Sequence, residues 1–196
     1  LAQFFHLEAN GSANILRLTS ADNTNRLTSN CVLALTSVIE ELARNPRPLI
    51  LTGNETFFSA GADLHEIAGL GAASAIEFSK MGQALMNAVA HFPAPVYAAI
   101  RGYCMGGGLD LVLACHHRIA ASNAIFGHRG AALGLITGWG GTQRLPRLIG
   151  KPRAMQMFLM AEKLHAREAV DIGLIDTIAD DPVASAGAEI RRRVRC

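Results

Sequence analysis

Charge is sparse in this chain and nearly balanced: 18 Lys and Arg stand against 16 Asp and Glu in 196 residues, a formal net charge of +2. Apart from the terminal run Arg191-Arg192-Arg193-Val194-Arg195 there is no basic block. Nucleic acid is therefore not an expected partner, and the terminal run reads as a solvated helix face. The cysteines Cys31, Cys104, Cys115 and Cys196 form no C-x-x-C pair. Cys104 and Cys115 lie in apolar surroundings, which suits reduced thiols better than a disulfide framework. No apolar run is long enough to span a bilayer, and Leu1-Ala2-Gln3-Phe4-Phe5-His6-Leu7-Glu8 lacks the basic start and long apolar stretch of a signal peptide. A cytoplasmic location with no membrane partner is expected, and a first residue of Leu rather than Met fits a trimmed start. No metal is expected either: Cys115, His116, His117 and His128 match no common site spacing, and adjacent histidines on a strand point to opposite faces.

What is present is an apolar content of 50 %, enough for a substantial core in one domain with a small appendage. Ile15-Leu16-Arg17-Leu18-Thr19 alternates as a strand does. Residues 27–42 carry Leu35, Val38, Ile39 and Leu42 at helical spacing, and Asn45-Pro46-Arg47-Pro48 stops that helix. Leu49-Ile50-Leu51-Thr52 and Val96-Tyr97-Ala98-Ala99-Ile100 read as buried strands, residues 74–90 as a helix, and 118–121 and 124–126 as short strands. Another helix opens near Thr142. Strand, turn and helix alternate, so the class is α/β. Residues 1–151 are expected to form a core domain and 152–196 a helical tail, with Gly173 a stop before Leu174.

Two glycine-rich turns carry most of the chemistry. Phe57-Phe58-Ser59-Ala60-Gly61-Ala62-Asp63-Leu64 and Arg101-Gly102-Tyr103-Cys104-Met105-Gly106-Gly107-Gly108-Leu109-Asp110 each lie between a strand-like and a helix-like run. Such turns aim unpaired amide N–H groups, and two donors converging on one carbonyl oxygen would stabilise an enolate or oxyanion. Gly107 would open a helix, and Asp110 returns to its face one turn later. Asp110 is then either a proton carrier beside the oxygen or an acid favoured by the helix dipole. Dinucleotide and P-loop sites are not expected, because neither G-x-G-x-x-G nor G-x-x-x-x-G-K-[ST] occurs. Ser59 lacks a His–Asp arrangement and reads as a turn residue.

Those two turns, with Gly138-Trp139-Gly140-Gly141-Thr142-Gln143-Arg144-Leu145, strongly resemble the crotonase (enoyl-CoA hydratase/isomerase) family in motif, order and interval. The resemblance runs from Ile15 to the segment around Asp176. It implies a spiral of ββα units, an acyl-CoA thioester as substrate with no separate cofactor, and a homotrimer or hexamer. Carried over by position, the oxyanion donors would be the amides of Ala62 and Gly107. CoA would pass Asn25, Arg26 and the backbone of Ala60, Asp63 and Leu64. Arg26 is open to two readings, a phosphate contact or a solvated arginine.

The family's hydratases use two glutamates. Asp110 matches the first, one methylene shorter, and Gly130 stands where the second should be. No acidic residue occurs from Ala131 to Ala161. Three readings follow. His128 supplies the missing group; or the absent side chain leaves room for a small anion or water, as in the naphthoate-synthase-like branch, whose further aspartate would fall at Thr137; or the protein does something needing only the oxyanion hole. The favoured function is lyase or isomerase chemistry on an enoyl-CoA through a stabilised enolate. The alternatives are a decarboxylase or thioesterase on the same scaffold and a non-catalytic acyl-CoA-binding protein. Family members also continue beyond the position of Cys196 with helices that cover the acyl pocket.

Overall fold

A computed structural model describes residues 4–194, so the expectations for Leu1 to Gln3, Arg195 and Cys196 lie outside the described residues. The chain opens as a hairpin, β1 (Phe5–Asn10) against β2 (Ala13–Leu18), in antiparallel register from Phe5↔Leu18 to Asn10↔Ala13. Gly11 turns it at φ +49°, a conformation that tight hairpins require and glycine takes without a Cβ penalty. The alternation in residues 15–19 marks β2 but not β1. Only Phe5 of β1 is buried, so this edge strand carries no apolar rhythm to read.

Next come β3 (Arg26–Leu27), α1 (Ser29–Leu42) and β4 (Leu49–Thr52). The helix expected from residue 27 begins at Ser29, because Arg26 and Leu27 pair in parallel with Gly61 and Ala62. Thr28 caps it, its hydroxyl accepting from the Cys31 N–H at 3.2 Å. The first glycine turn contains β5 (Phe57–Ser59) and β6 (Gly61–Ala62), and α2 (Leu64–Ala68) and α3 (Ala72–Ala90) follow. The second runs from β7 (Val96–Ile100) through β8 (Tyr103–Met105) into α4 (Gly107–Ala114). Then come β9 (His117–Ala120), β10 (Ile125–Gly127), a short 3-10 helix (Gly130–Leu133) and α5 (Gly141–Ile149). The last part holds α6 (Lys151–Leu159), β11 (Lys163–His165), α7 (Ala166–Asp171), β12 (Thr177–Ile178) and α8 (Pro182–Val194).

Successive strands divide between two sheets, and this makes the spiral. One sheet has the order β1-β2-β4-β7-β9-β12, the other β11-β10-β8-β5, with β3-β6 a small third. Thus β4 and β5, β7 and β8, and β9 and β10 each send one strand to either layer. The segment 151–194 carries the helices α6, α7 and α8, and it also adds β11 antiparallel to β10 and β12 parallel to β9. Strands of two or three residues are too short to show a period, and only their pairing defines them.

The core follows from period-two alternation in the central strands. Leu49 and Leu51 of β4 and Val96, Ala98 and Ile100 of β7 face the main core with α1, α3 and α4. Ile50, Tyr97 and Ala99 face the other way and pack on Ala186 and Ile190 of α8. All eight residues of α4 are buried, so its start is held rigidly between the layers. Arg191, Arg192 and Arg193 project from α8 into solvent. Cys31, Cys104 and Cys115 are free and buried, and burial raises the Cys31 and Cys115 thiols to about 12. Among the described residues no helix is long and apolar enough to cross a membrane.

The two adjacent histidines serve strand edges. His116 Nδ1 accepts from the Val96 N–H at 2.9 Å, and His117 stacks on Tyr97 with ring centroids 4.6 Å apart. Burial, then the charge of Arg193, lowers the His117 pKa against the opposing pull of Asp176. The folded state therefore prefers the neutral ring, and the unfolded chain binds the proton more readily. Unfolding free energy is expected to fall as pH drops through about 6.5 towards the lowered folded value. Urea midpoints at about pH 7.5 and pH 5 check this; His117→Phe, which keeps the stacking, should lessen the decline, and an equal decline in the variant would refute it.

Candidate active site

The two glycine turns meet. Gly61 has φ +93°, and a Cβ there would lie 2.5 Å from the Met105 carbonyl oxygen and 3.0 Å from the Gly107 nitrogen. A Cβ on Gly107 would stand 3.2 Å from the Ala62 nitrogen. Backbone from β6 and from the first residue of α4 is therefore in direct contact, which only residues without side chains allow. The first amides of a helix have no intrahelical acceptor, so the Gly107 end of α4 presents N–H groups and the positive end of the helix dipole.

Beside this contact opens a cavity of about 810 Å³. That is within the range of pockets that take drug-sized or cofactor-sized ligands. Ile67, Leu70, Phe78, Leu133, Leu135 and Ile136 give it apolar walls, while Ala60, Ala62, Leu64, Gly107, Asp110, His128 and Gly130 also line it. Leu133, Leu135 and Ile136 are 56 %, 37 % and 65 % exposed, so the apolar wall is open to whatever enters.

Asp110 stands at the cavity floor, 1 % exposed. Its Oδ2 accepts a short hydrogen bond from the Thr137 hydroxyl, and its Oδ1 is 3.0 Å from His128 Nε2. His128 is 4 % exposed and follows directly on β10. Asp110, Thr137 and His128 thus come from three separate segments. Gly130, where the second acid would stand, lines the cavity. A Cβ there would meet the Leu135 carbonyl oxygen at 2.7 Å and its carbon at 3.2 Å, so backbone fills the direction in which an acid would start.

The residues expected along CoA separate into two groups. Ala60 and Leu64 line the cavity, and Leu64 is exposed. Asn25 is 2 % exposed with φ +51°, and its amide donates to the carbonyls of Phe57 at 2.9 Å and Phe58 at 3.2 Å. Its side chain ties the first loop to β5, and it does not line the cavity. Arg26 is engaged by Asp22 at 2.6 Å and Asp63 at 3.4 Å, so its guanidinium is paired rather than fully solvated. Asp63 caps α2, accepting from the Glu66 and His65 N–H groups, which with Arg26 hold its carboxyl below the usual range. The Ser20 hydroxyl, then Thr24, draws Asp22 down to about 2. Ser59 accepts from the Gly61 N–H and donates to the Asn25 carbonyl, as befits a turn residue.

Arg129 and Lys163 carry no motif that marks them in the sequence. Both line the cavity and are exposed, and Lys163 sits 5.6 Å above the Tyr103 ring. Lys163 comes to the site only because it pairs with Gly127 across β11 and β10, for which no local motif signals. Among the described residues no group of three or more His, Cys, Asp or Glu is arranged to hold a metal ion.

Residues 8–193 match the sequence model of the enoyl-CoA hydratase/isomerase family. The chain belongs to that family. A probable enoyl-CoA hydratase of Bacillus subtilis is 40 % identical over 160 residues, covering 80 % of this chain and 62 % of the relative. A crotonyl-CoA hydratase of Syntrophomonas wolfei is 37 % identical over 175 residues, covering 88 % of this chain and 67 % of that protein. The chain thus spans about two thirds of the length of these relatives. Among solved structures, DspI of Pseudomonas aeruginosa superposes with a TM-score of 0.92 at 34 % identity, over 98 % of this chain and 80 % of that one. An enoyl-CoA hydratase of Bacillus anthracis gives 0.87 at 34 % identity, over 98 % and 76 %. The divided sheets of this enoyl-CoA hydratase/isomerase family member are thus those of the crotonase fold.

Proposed function

We propose that the chain binds an acyl-CoA thioester with the acyl group in the 810 Å³ cavity and the thioester oxygen between the amides of Ala62 and Gly107. The observation that carries this reading is Asp110: a buried carboxylate on the cavity floor, one helical turn inside the amide of Gly107. Preorganised amides at the oxygen stabilise the charge that develops when the thioester becomes an enolate. Asp110 is then within reach of the α and β carbons of the same acyl group and serves as the acid–base group. In hydration of an enoyl-CoA, the water oxygen bonds to the β carbon as Asp110 takes a proton from the water. The electrons of the double bond move onto the thioester oxygen, and collapse of the enolate takes one proton at the α carbon. The site ends as it began, and the step needs no redox cofactor. Relatives named as enoyl-CoA and crotonyl-CoA hydratases support this substrate class.

The test is titration of the purified protein with crotonyl-CoA, followed by turnover of a thioester panel. Tight binding with loss of the enoyl absorbance is the expected result. Binding without turnover would make it an acyl-CoA-binding protein, and faster release of free CoA or of carbon dioxide would move it to a thioesterase or decarboxylase. Absence of binding would end the reading. Supplying the second acid is not expected to help: Gly130→Glu should leave hydration no faster and cost about 1–3 kcal/mol by overpacking on Leu135. A rise in hydration rate without loss of thermal stability in that variant would show that the backbone yields.

A further inference from the structure

Asp110 Oδ1 and His128 Nε2 face each other at 3.0 Å inside residues that are almost wholly buried. Among the described residues neither atom completes an aligned hydrogen bond. The two atoms are within hydrogen-bonding distance, but a ring hydrogen on Nε2 does not point at Oδ1, and a buried polar atom left unpaired is costly. A small turn of either side chain would aim an Nε2 proton at Oδ1 and remove that cost. An imidazole both donates and accepts at its ring nitrogens, so it can hold the proton or pass it on. We infer that Asp110 and His128 act as one acid–base dyad, with His128 doing the proton work for which residues 131–161 offer no carboxylate; this rests on the acyl-CoA reading above.

Residues from several other segments surround the pair. The Thr137 hydroxyl binds Asp110 Oδ2 and so leaves Oδ1 to face the ring. Gly141, at the start of α5, makes the room: a Cβ there would lie 2.2 Å from Asp110 Oδ1 and 3.0 Å from His128 Nε2. Phe158 of α6 packs on the imidazole with centroids 5.2 Å apart. Cys104 of β8 is the nearby thiol, held protonated by burial, by Cys115 and by the charge of Asp110. Arg129 and Lys163 are the cations lining the same cavity.

The dyad balances the proton account of hydration. With one proton on the contact, the carboxylate accepts the proton that leaves water as oxygen bonds to the β carbon. The imidazolium gives its proton to the α carbon as the enolate collapses. Transfer across the 3.0 Å contact then restores the starting state.

His128→Gln is the discriminating variant, because its amide retains hydrogen bonding near the ring position but cannot exchange a proton. The dyad predicts a fall in kcat of about 10²-fold or more on crotonyl-CoA, with binding little changed and one limb of the pH–rate profile lost. Full activity with an unchanged profile would overturn the dyad and leave the acyl-CoA reading standing. A second readout needs no turnover. Protein carrying nitrogen-labelled histidine should show a low-field imidazole N–H resonance from His128 that disappears in Asp110→Asn. If the wild type turns over no enoyl-CoA, the reading above fails and this resonance decides alone. Its loss in Asp110→Asn supports the dyad, and its persistence there, or its absence from the wild type, overturns it.

Discussion

Asp110→Asn is expected to lower enoyl-CoA turnover by about 10²- to 10⁴-fold, the span of a positioned general acid–base group. Binding of the same thioester should stay within a few-fold. The substitution keeps the size of the side chain, and the amide oxygen can still accept from the Thr137 hydroxyl. It removes the negative charge, and with it the capacity to take and return a proton. The distinction is testable because Asp110 lies at the floor of the cavity, whereas the proposed oxygen donors are backbone amides that the change leaves in place. Parallel measurement of kcat and of the crotonyl-CoA dissociation constant separates the two contributions. Equal turnover in the variant would remove Asp110 from the chemistry and leave it as an acid favoured by a helix start.

Trp139→Ala should give the largest loss of stability, about 3–5 kcal/mol, as expected for truncating a buried tryptophan. The ring is 3 % exposed and tilts against Phe78 at 5.2 Å, with its indole N–H donating to the Phe78 carbonyl at 3.2 Å. It fills the narrow space between α3 and the start of α4, where a methyl on either Gly82 or Gly107 would collide with it. Its backbone N–H reaches the Thr137 hydroxyl at 3.4 Å, so the anchor of Asp110 is secured from the same loop. Gly138, next to it, accepts from Ser79 at 3.0 Å and Gln83 at 2.8 Å. The variant is therefore expected to lose stability and catalytic alignment together, whereas Asp110→Asn loses turnover with its fold intact. Urea unfolding followed by far-ultraviolet circular dichroism checks the first effect. A cost below about 1 kcal/mol would mean that the loop does not depend on this ring.

The rhythm of the central strands and long helices was legible because each of those segments buries one face over many residues. Residues 49–52 and 96–100 are strands within those same bounds, and the helices read at 27–42 and 74–90 start within two residues of where they are found. Elements without such a rhythm were not legible. β1 is mostly exposed, while β3, β6, β11 and β12 have two or three residues each and exist through their partners. The site divides in the same way. The glycine turns, Asp110 and the lack of a second acid could be read in order along the chain. The roles of Asn25 and Arg26 could not, because they depend on Phe57, Phe58 and Asp63, more than 30 residues away.

By itself, then, the sequence determined an α/β chain of crotonase type with two turns fit to aim amides and one placed carboxylate. Only the tertiary structure decided that Gly61 and Gly107 touch, that the Leu135 backbone stands where a side chain at Gly130 would begin, and that His128 stands 3.0 Å from Asp110. The reason is the range of the forces involved. Periodicity and turn chemistry record what each residue needs from its near neighbours. Contact between two glycines 46 residues apart, or between a carboxylate and a ring 18 residues on, is set by the packing of sheets and helices that carry them.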